Sequence, residues 1–292
     1  GQIIVLAGRG DSGARVSVSE DGGYSWEIRA MPAGSVGFAF AKVSPDGTRL
    51  LAGTQGSSSN RLYVSSNLGG SFTTVTNASM GMSDSWGYAN GDLSLDGRHM
   101  VAAVFSSGAF ASGNAPLMTS SDWGETWSPL SGTVSGQNGF AGAAISYDGQ
   151  IILGAGNGAA AKLNISRDGG LTWTHIGSDG MPSGFEHCGL SGDGVVGCAV
   201  LRDGSSGGAA TRLLVTTNAG VIWTRYEVAP GPTGVIGCAV SRDGGWMLTV
   251  GAGGSASRVW RMQVADPVYL PALMPFRIAS MVSSSVGNEG GM

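Results

Sequence analysis

Polar and apolar positions fall in short alternating blocks along this chain. Runs rich in β-branched and aromatic residues, such as Phe38 to Val43, Arg49 to Ala52, Arg61 to Val64 and Phe72 to Val75, are separated by clusters of Ser, Asp, Asn and Gly. Runs of that length bounded by turn residues predict β-strands. The punctuation is of two kinds. One is the octet Ser166-Arg167-Asp168-Gly169-Gly170-Leu171-Thr172-Trp173, whose parts recur at Ser19, Asp21, Gly23 and Trp26 and at Ser120, Asp122, Gly124 and Trp127. Looser copies run through Ser65, Asn67, Gly69 and Phe72 and through Thr216, Asn218, Gly220 and Trp223. In such an octet the Asp or Asn oxygen accepts amides of its own tight turn, a glycine supplies positive φ, and the Trp starts the next strand as an apolar plug. The other is a hairpin turn beginning at Ser44, Ser94, Ser146, Ser191 and Ser241, each reading S-x-D-G.

The hairpin turns are separated by 50, 52, 45 and 50 residues, and the octet acids Asp21, Asn67, Asp122, Asp168 and Asn218 by 46, 55, 46 and 50. Two interleaved turns per period predict four strands per repeat, the make-up of one propeller blade. The pattern S-x-D-x-G-x-x-W resembles the Asp-box (BNR) repeat of sialidase-like β-propellers. That resemblance implies an all-β fold: a six-bladed β-propeller of four-stranded antiparallel blades. Such a scaffold carries unrelated activities, so it fixes architecture before function.

The segment Gly1-Gln2-Ile3-Ile4-Val5-Leu6-Ala7-Gly8 aligns with Gly149-Gln150-Ile151-Ile152-Leu153-Gly154-Ala155-Gly156, so the sequence enters at a second strand and the first blade lacks an inner one. The segment Phe276-Arg277-Ile278-Ala279-Ser280-Met281-Val282-Ser283 has the length and texture of an inner strand. Pairing it with residues 3–7 is expected to close the ring and remove an open edge. The expected organisation is a single propeller over residues 1–285 and a polar, Gly-rich tail over 286–292.

Composition narrows the partners. Of 292 residues 42% are hydrophobic and 12% charged, with 16 Lys plus Arg against 20 Asp plus Glu. There is no basic face for nucleic acid and no apolar stretch long enough for a transmembrane helix. Two lysines, Lys42 and Lys162, beside abundant Ser, Thr and Gly give the texture of a secreted or cell-surface protein. Asn77-Ala78-Ser79 and Asn164-Ile165-Ser166 match glycosylation sequons. Cys188 and Cys198 flank the turn at Ser191 to Gly194. A three-residue loop there would set them opposite each other and permit a disulfide, the alternative being three free core thiols including Cys238.

Candidate chemistry is sought on the rim opposite the Asp-bearing turns, where the longer connections gather. Trp86 and Tyr88 follow one long loop, and Phe105, Phe110 and Asn114 belong to another. Aromatics beside amides suit sugar stacking or a protein interface, whereas a buried Trp86 would serve packing alone. Glu186 and His187 begin an inner strand and face the axis, where a hydrogen-bonded structural His is the simpler reading than a ligand. Trp123, inside an octet, is expected to be exposed on the opposite rim. Phe276-Arg277-Ile278-Ala279 resembles the sialidase F/Y-R-I-P motif, which implies a carboxylate-binding role for Arg277, with Arg9 and Asp11 at the places of a further Arg and an acid. The motif's Pro is replaced by Ala279, and no Tyr/Glu nucleophile pair is assigned. The reading is therefore a non-catalytic recognition or assembly module for a glycan, a protein or like subunits, without cofactor or metal. Sialidase-type hydrolysis is the alternative.

Overall fold

The computed structural model describes residues 2–8, 15–32, 37–55, 60–80, 86–106, 116–130, 139–157, 161–177, 183–202, 212–227, 235–251 and 258–264. Strands dominate them, with one short 3-10 turn at Ala78–Met80. A first unit holds β1 (Ile4–Gly8), β2 (Arg15–Ser19) and β3 (Glu27–Arg29), and a second β4 (Phe38–Val43), β5 (Leu50–Thr54), β6 (Arg61–Ser65) and β7 (Thr73–Thr76). The third comprises β8 (Trp86–Leu93), β9 (Met100–Ser106), β10 (Leu117–Ser120) and β11 (Ser128–Pro129). The fourth comprises β12 (Gly139–Ile145), β13 (Ile152–Asn157), β14 (Leu163–Ser166) and β15 (Thr174–Ile176). A fifth contains β16 (Ser183–Leu190), β17 (Gly197–Arg202), β18 (Arg212–Thr216) and β19 (Thr224–Glu227), and a sixth β20 (Val235–Val240), β21 (Trp246–Gly251) and β22 (Arg258–Gln263). Neighbours along the chain pair antiparallel within each unit, and Gly139 opposite Phe105 joins the third and fourth units into one sheet.

The octets form one repeated local structure. Ser166 Oγ donates to Asp168 Oδ1 at 2.8 Å and accepts the Gly170 amide at 2.8 Å, while Asp168 Oδ1 accepts the Thr172 amide at 2.8 Å. Trp173 Nε1 then donates to the Gly170 carbonyl at 3.1 Å. The same Ser and acid-position bonds recur around Asp21 and Asp122 and, with an amide oxygen as acceptor, around Asn67 and Asn218, while the ring N–H bond recurs at Trp26, Trp127 and Trp223. Hydrogen bonds from the Thr172 hydroxyl, the Thr172 amide and the Ser166 hydroxyl hold the Asp168 carboxyl down to about 2.

The hairpin turns close the inner strands and also join the units. Each Ser hydroxyl accepts the amide five residues on, as Arg49 N donates to Ser44 Oγ at 2.9 Å. From unit to unit, the turn amide of Asp46 donates to Leu95, Leu95 to Tyr147, Tyr147 to Gly192 and Gly192 to Arg242. Pro45 has no N–H, which explains why Asp46 starts this series. The turn glycines Gly47, Gly97, Gly149, Gly194 and Gly244 all have positive φ, and a Cβ on them would meet Ile3, Arg49, His99, Ile151 and Val196 of the preceding unit.

The core lies between units rather than within one. Phe40, Leu51 and Leu62 of the second unit are buried against Tyr88, Leu93 and Met100 of the third. Phe185 and Leu190 of the fifth meet Leu153 and Ile165 of the fourth. Octet aromatics cover the same seams: Trp127 packs with Val75, Trp173 with Leu130 and Trp223 with Ile176.

One prediction follows from the octet geometry. The unfolded Asp168 carboxyl takes its proton near its ordinary value of about 3.8 and the folded one only near 2. Its stabilisation is therefore complete above about pH 4 and is lost as pH falls through 2. Asp168→Asn keeps the acceptor oxygen, as Asn67 and Asn218 do, and should flatten the acid limb of the Tm profile with little loss at pH 7. Asp168→Ala removes the acceptor and should lower Tm at every pH above 4 in thermal melts.

Candidate functional site

The inner strands bring polar side chains together near the axis. His187 on β16 is half-buried, and its Nε2 lies 2.7 Å from Asn90 Nδ2 on β8. Asn90 Nδ2 is a donor, so Nε2 is the accepting nitrogen and Nδ1 carries the proton. Nδ1 faces the sixth unit, 4.0 Å from Cys238 Sγ, and a hydrogen bond to the Cys238 backbone holds the ring there. Burial first, then the Lys42 cation, push His187 down to about 4, so it is neutral at physiological pH. Asp92, also on β8, accepts the Ile145 amide at 3.2 Å and lies 4.0 Å from the Arg242 guanidinium. These groups tie the third, fourth, fifth and sixth units together around the axis. Among the described residues no cluster of three or more His, Cys, Asp or Glu is arranged to hold a metal. Glu186 is half-buried beside His187 and has interactions of its own.

On the rim of longer connections the expected aromatics part company. Tyr88 is fully buried and its hydroxyl donates to Asn77 Oδ1, which corrects the expectation that it meets a ligand. Its place is fixed because it follows Gly87 on β8 and turns inward into the seam with the second unit. Trp86, two positions earlier, is half-buried: it rests on that core while its carbonyl accepts Asn77 Nδ2 at 2.7 Å. Phe105, half-buried at the end of β9, stands opposite Gly87 and Gly139. Phe110, Asn114, Arg9, Asp11 and Arg277 lie outside the described residues.

Both sequons are structural. Asn77 and Asn164 are fully buried, and Asn164 donates to the Lys162 carbonyl at 2.9 Å while its Oδ1 lies 2.8 Å from His175 Nδ1. Neither nitrogen can carry a glycan in the folded chain. The cysteine expectation is corrected too. Ser191 pairs with Val196, making a four-residue turn that shifts the register by one: Cys188 faces Ala199 and Cys198 faces Gly189. Neighbouring strand positions point to opposite faces. Cys188 accordingly packs toward the fourth unit and Cys198 toward the sixth, and all three thiols are free and buried.

On the opposite rim Trp123 is exposed, at a positive φ of 60° where other octets place Gly22 at 75° and Gly169 at 69°. The Arg49 and Arg98 guanidinium carbons stand 5.6 and 5.5 Å from its ring. The turns themselves do not require an aromatic there, since Leu68 and Ala219 also take positive φ. Only the adjacency of Arg49 and Arg98 to hairpin turns hinted at this grouping in the sequence.

No family model and no curated protein matches the chain. Solved structures do. A GH74 xyloglucanase from Xanthomonas campestris superposes with a TM-score of 0.63 at 17% identity over 90% of this chain, which spans 43% of that enzyme. YCF48 bound to a D1 peptide gives 0.57 at 17% identity, covering 93% of this chain and 77% of the other. A Hadza microbial sialidase, Hz136, gives 0.53 at 18% identity, covering 81% and 56%. At these identities the likeness shows the fold alone, and that fold is of the β-propeller kind.

His187 supplies the prediction of this site. The unfolded imidazole takes a proton below about 6.5 and the folded one only near 4. Stability is therefore full above 6.5 and falls as pH drops through 4, by on the order of 3 kcal/mol for such a shift. His187→Gln should remove the step in Tm between pH 7.5 and pH 4.5, at the expense of a lower Tm at neutral pH.

Proposed function

We propose that this chain is a six-bladed Asp-box propeller acting as a non-catalytic recognition or assembly module, secreted or at the cell surface. It binds a protein or glycan partner through the rim of longer connections. The observation that carries this reading is the satisfaction of the axial polar groups by one another. Asn90 meets His187, and Asp92 meets the Ile145 amide and faces Arg242. Hydrolysis needs two carboxyl groups free to act at a fixed separation, or an activated nucleophile with an acid. Among the described residues the axis is instead spent on cross-unit hydrogen bonds. Trp86 is the one rim aromatic of the first loop that keeps part of its ring outside the core. YCF48, solved with a D1 peptide, is a propeller-like neighbour with a peptide partner, and it supports a protein ligand before a glycan.

A hydrolase reading is supported by the likeness to the GH74 xyloglucanase and to a sialidase, and in its sialidase form by the latter. It would place Arg277, Arg9 and Asp11 at the substrate carboxylate.

The two are separated by experiment. The full chain is screened for binding on arrays of extended peptides and of neutral and acidic oligosaccharides, and assayed with a fluorogenic sialoside. Binding weakened tenfold or more by Trp86→Ala, with circular dichroism and Tm nearly unchanged in the milder Trp86→Phe, and no sialoside turnover, is the expected result. Turnover abolished by Arg277→Ala would replace the binding module with the hydrolase.

A further inference from the structure

Trp123 and the two arginines beside it lie on the rim opposite the face proposed above, and folding alone does not account for them. A bulky residue at positive φ carries backbone strain, and the equivalent octet positions hold Gly22, Leu68, Gly169 and Ala219. The indole recovers little by burial, since it stays 38% exposed. What surrounds it is a pair of cations that the fold holds in place. Arg98 Nε donates to the Ser121 carbonyl at 3.2 Å, and the Trp123 amide donates to the Arg98 carbonyl at 3.0 Å. The stem of Arg49 runs beneath the next unit's hairpin turn, with its Cβ and Cγ 2.8 and 2.9 Å from where a Cβ on Gly97 would stand. The two guanidinium carbons, 5.6 and 5.5 Å from the ring, are therefore no more than about 11 Å apart. Like charges at that range repel, and an anion beside them relieves the repulsion. Among the described residues no carboxylate pairs with either guanidinium. The acids of the adjoining turns, Asp46, Asp96 and Asp122, are taken up by hydroxyls and amides of their own turns. Asp46 feels the Arg49 charge more weakly than it feels those bonds.

We propose that Arg49, Trp123 and Arg98 form a separate docking site, on the Asp-bearing rim, for an extended acidic peptide whose two carboxylates lie two residues apart. Side chains at alternate positions of an extended strand share one face and stand about 7 Å apart. One carboxylate can then meet each guanidinium while the residue between them crosses the indole. Hydrogen bonds between guanidinium and carboxylate are charge-assisted and can be bidentate, and here both donors are already in place before the ligand arrives. Charge also decides against a broader partner. Asp46, Asp96, Asp122, Asp148, Asp168 and Asp243 stand in the turns of the same rim, and carboxyls are ionised at neutral pH. A membrane surface or a long sulfated chain laid across that rim would meet these acids as well as the two arginines. A single narrow strand at the seam of the second and third units meets the arginines first.

The test is fluorescence anisotropy of the full chain with labelled Gly-Ser peptides that carry a central Glu-Thr-Glu or its Gln-Thr-Gln twin. The Glu peptide should bind at least about tenfold more tightly than the Gln peptide, and less tightly as salt is raised. Trp123→Gly should weaken it by about tenfold or more while Tm stays level or rises, because glycine takes the positive φ without strain. Arg98→Gln should lose a similar factor and serves as the second variant. Trp86→Ala, on the other rim, should bind the Glu peptide as the parent chain does, which keeps a failure here distinct from a failure of the face proposed above. No binding at millimolar peptide, equal binding of the twins, or undiminished affinity in Trp123→Gly would overturn the proposal. So would heparin oligosaccharides or phosphatidylserine vesicles that bind more tightly than the Glu peptide and are released by Trp123→Gly, because the patch would then belong to a polyanion.

Discussion

The structure depends on one close contact, repeated at every hairpin turn: a glycine with positive φ resting directly on a side chain of the preceding unit. At Gly47 the site of a Cβ lies 2.4 Å from Ile3 Cδ1, and at Gly194 it lies 2.6 Å from Ile151 Cδ1. A larger residue there would be disfavoured twice, by its own φ and by the neighbouring side chain it would force to shift. The same four residues that reverse the chain therefore also set the spacing between units. The Asp of the turn completes this by accepting the amide two residues on, as Asp193 does from Val195 at 3.0 Å. Local folding and stacking are thus one constraint, and this is why the S-x-D-G element recurs with so little variation.

Stacking of this kind brings many inner strands to one axis, where backbone and side-chain polar groups are removed from water. Buried polar groups are costly unless paired. His187, Asn90 and Asp92 pair with groups on other units, so residues that look like chemistry in the sequence serve as ties across the axis. Asn77 with Tyr88, and Asn164 with His175, do the same between strands. Trp86 on one rim and Trp123 with its two arginines on the other are among the aromatics that keep part of their surface free.

The apolar core follows the same logic. A two-layer sandwich buries one face of each sheet, but here interior units bury both, one against each neighbour, which is why alternate residues of β5 pack in different clusters: Leu51 toward the third unit, Leu50 and Ala52 toward the first. Apolar residues on both faces make a single unit unstable by itself and leave the end units with unsatisfied surface. Exposed Leu6, Ile28, Leu248 and Val259 are the visible consequence.

The sequence by itself determined the strands, their turns and the repeat. Phe38–Val43 and the start of β6 at Arg61 stand where the alternation put them, because turn chemistry and apolar spacing act over a few residues and leave a direct trace. It also determined the octet bonds, since Ser, Asp or Asn, and Gly carry that geometry locally. Only the tertiary structure decided the pairings that join distant residues. The cysteine register turned on a single residue of loop length at Ser191, too small a difference for composition to record. Whether Tyr88 and Asn77 face solvent or core was set by the neighbouring unit. Asn90 and His187, 97 positions apart, meet because stacking brings their strands to a common axis, and a local pattern holds no information about which distant group will arrive.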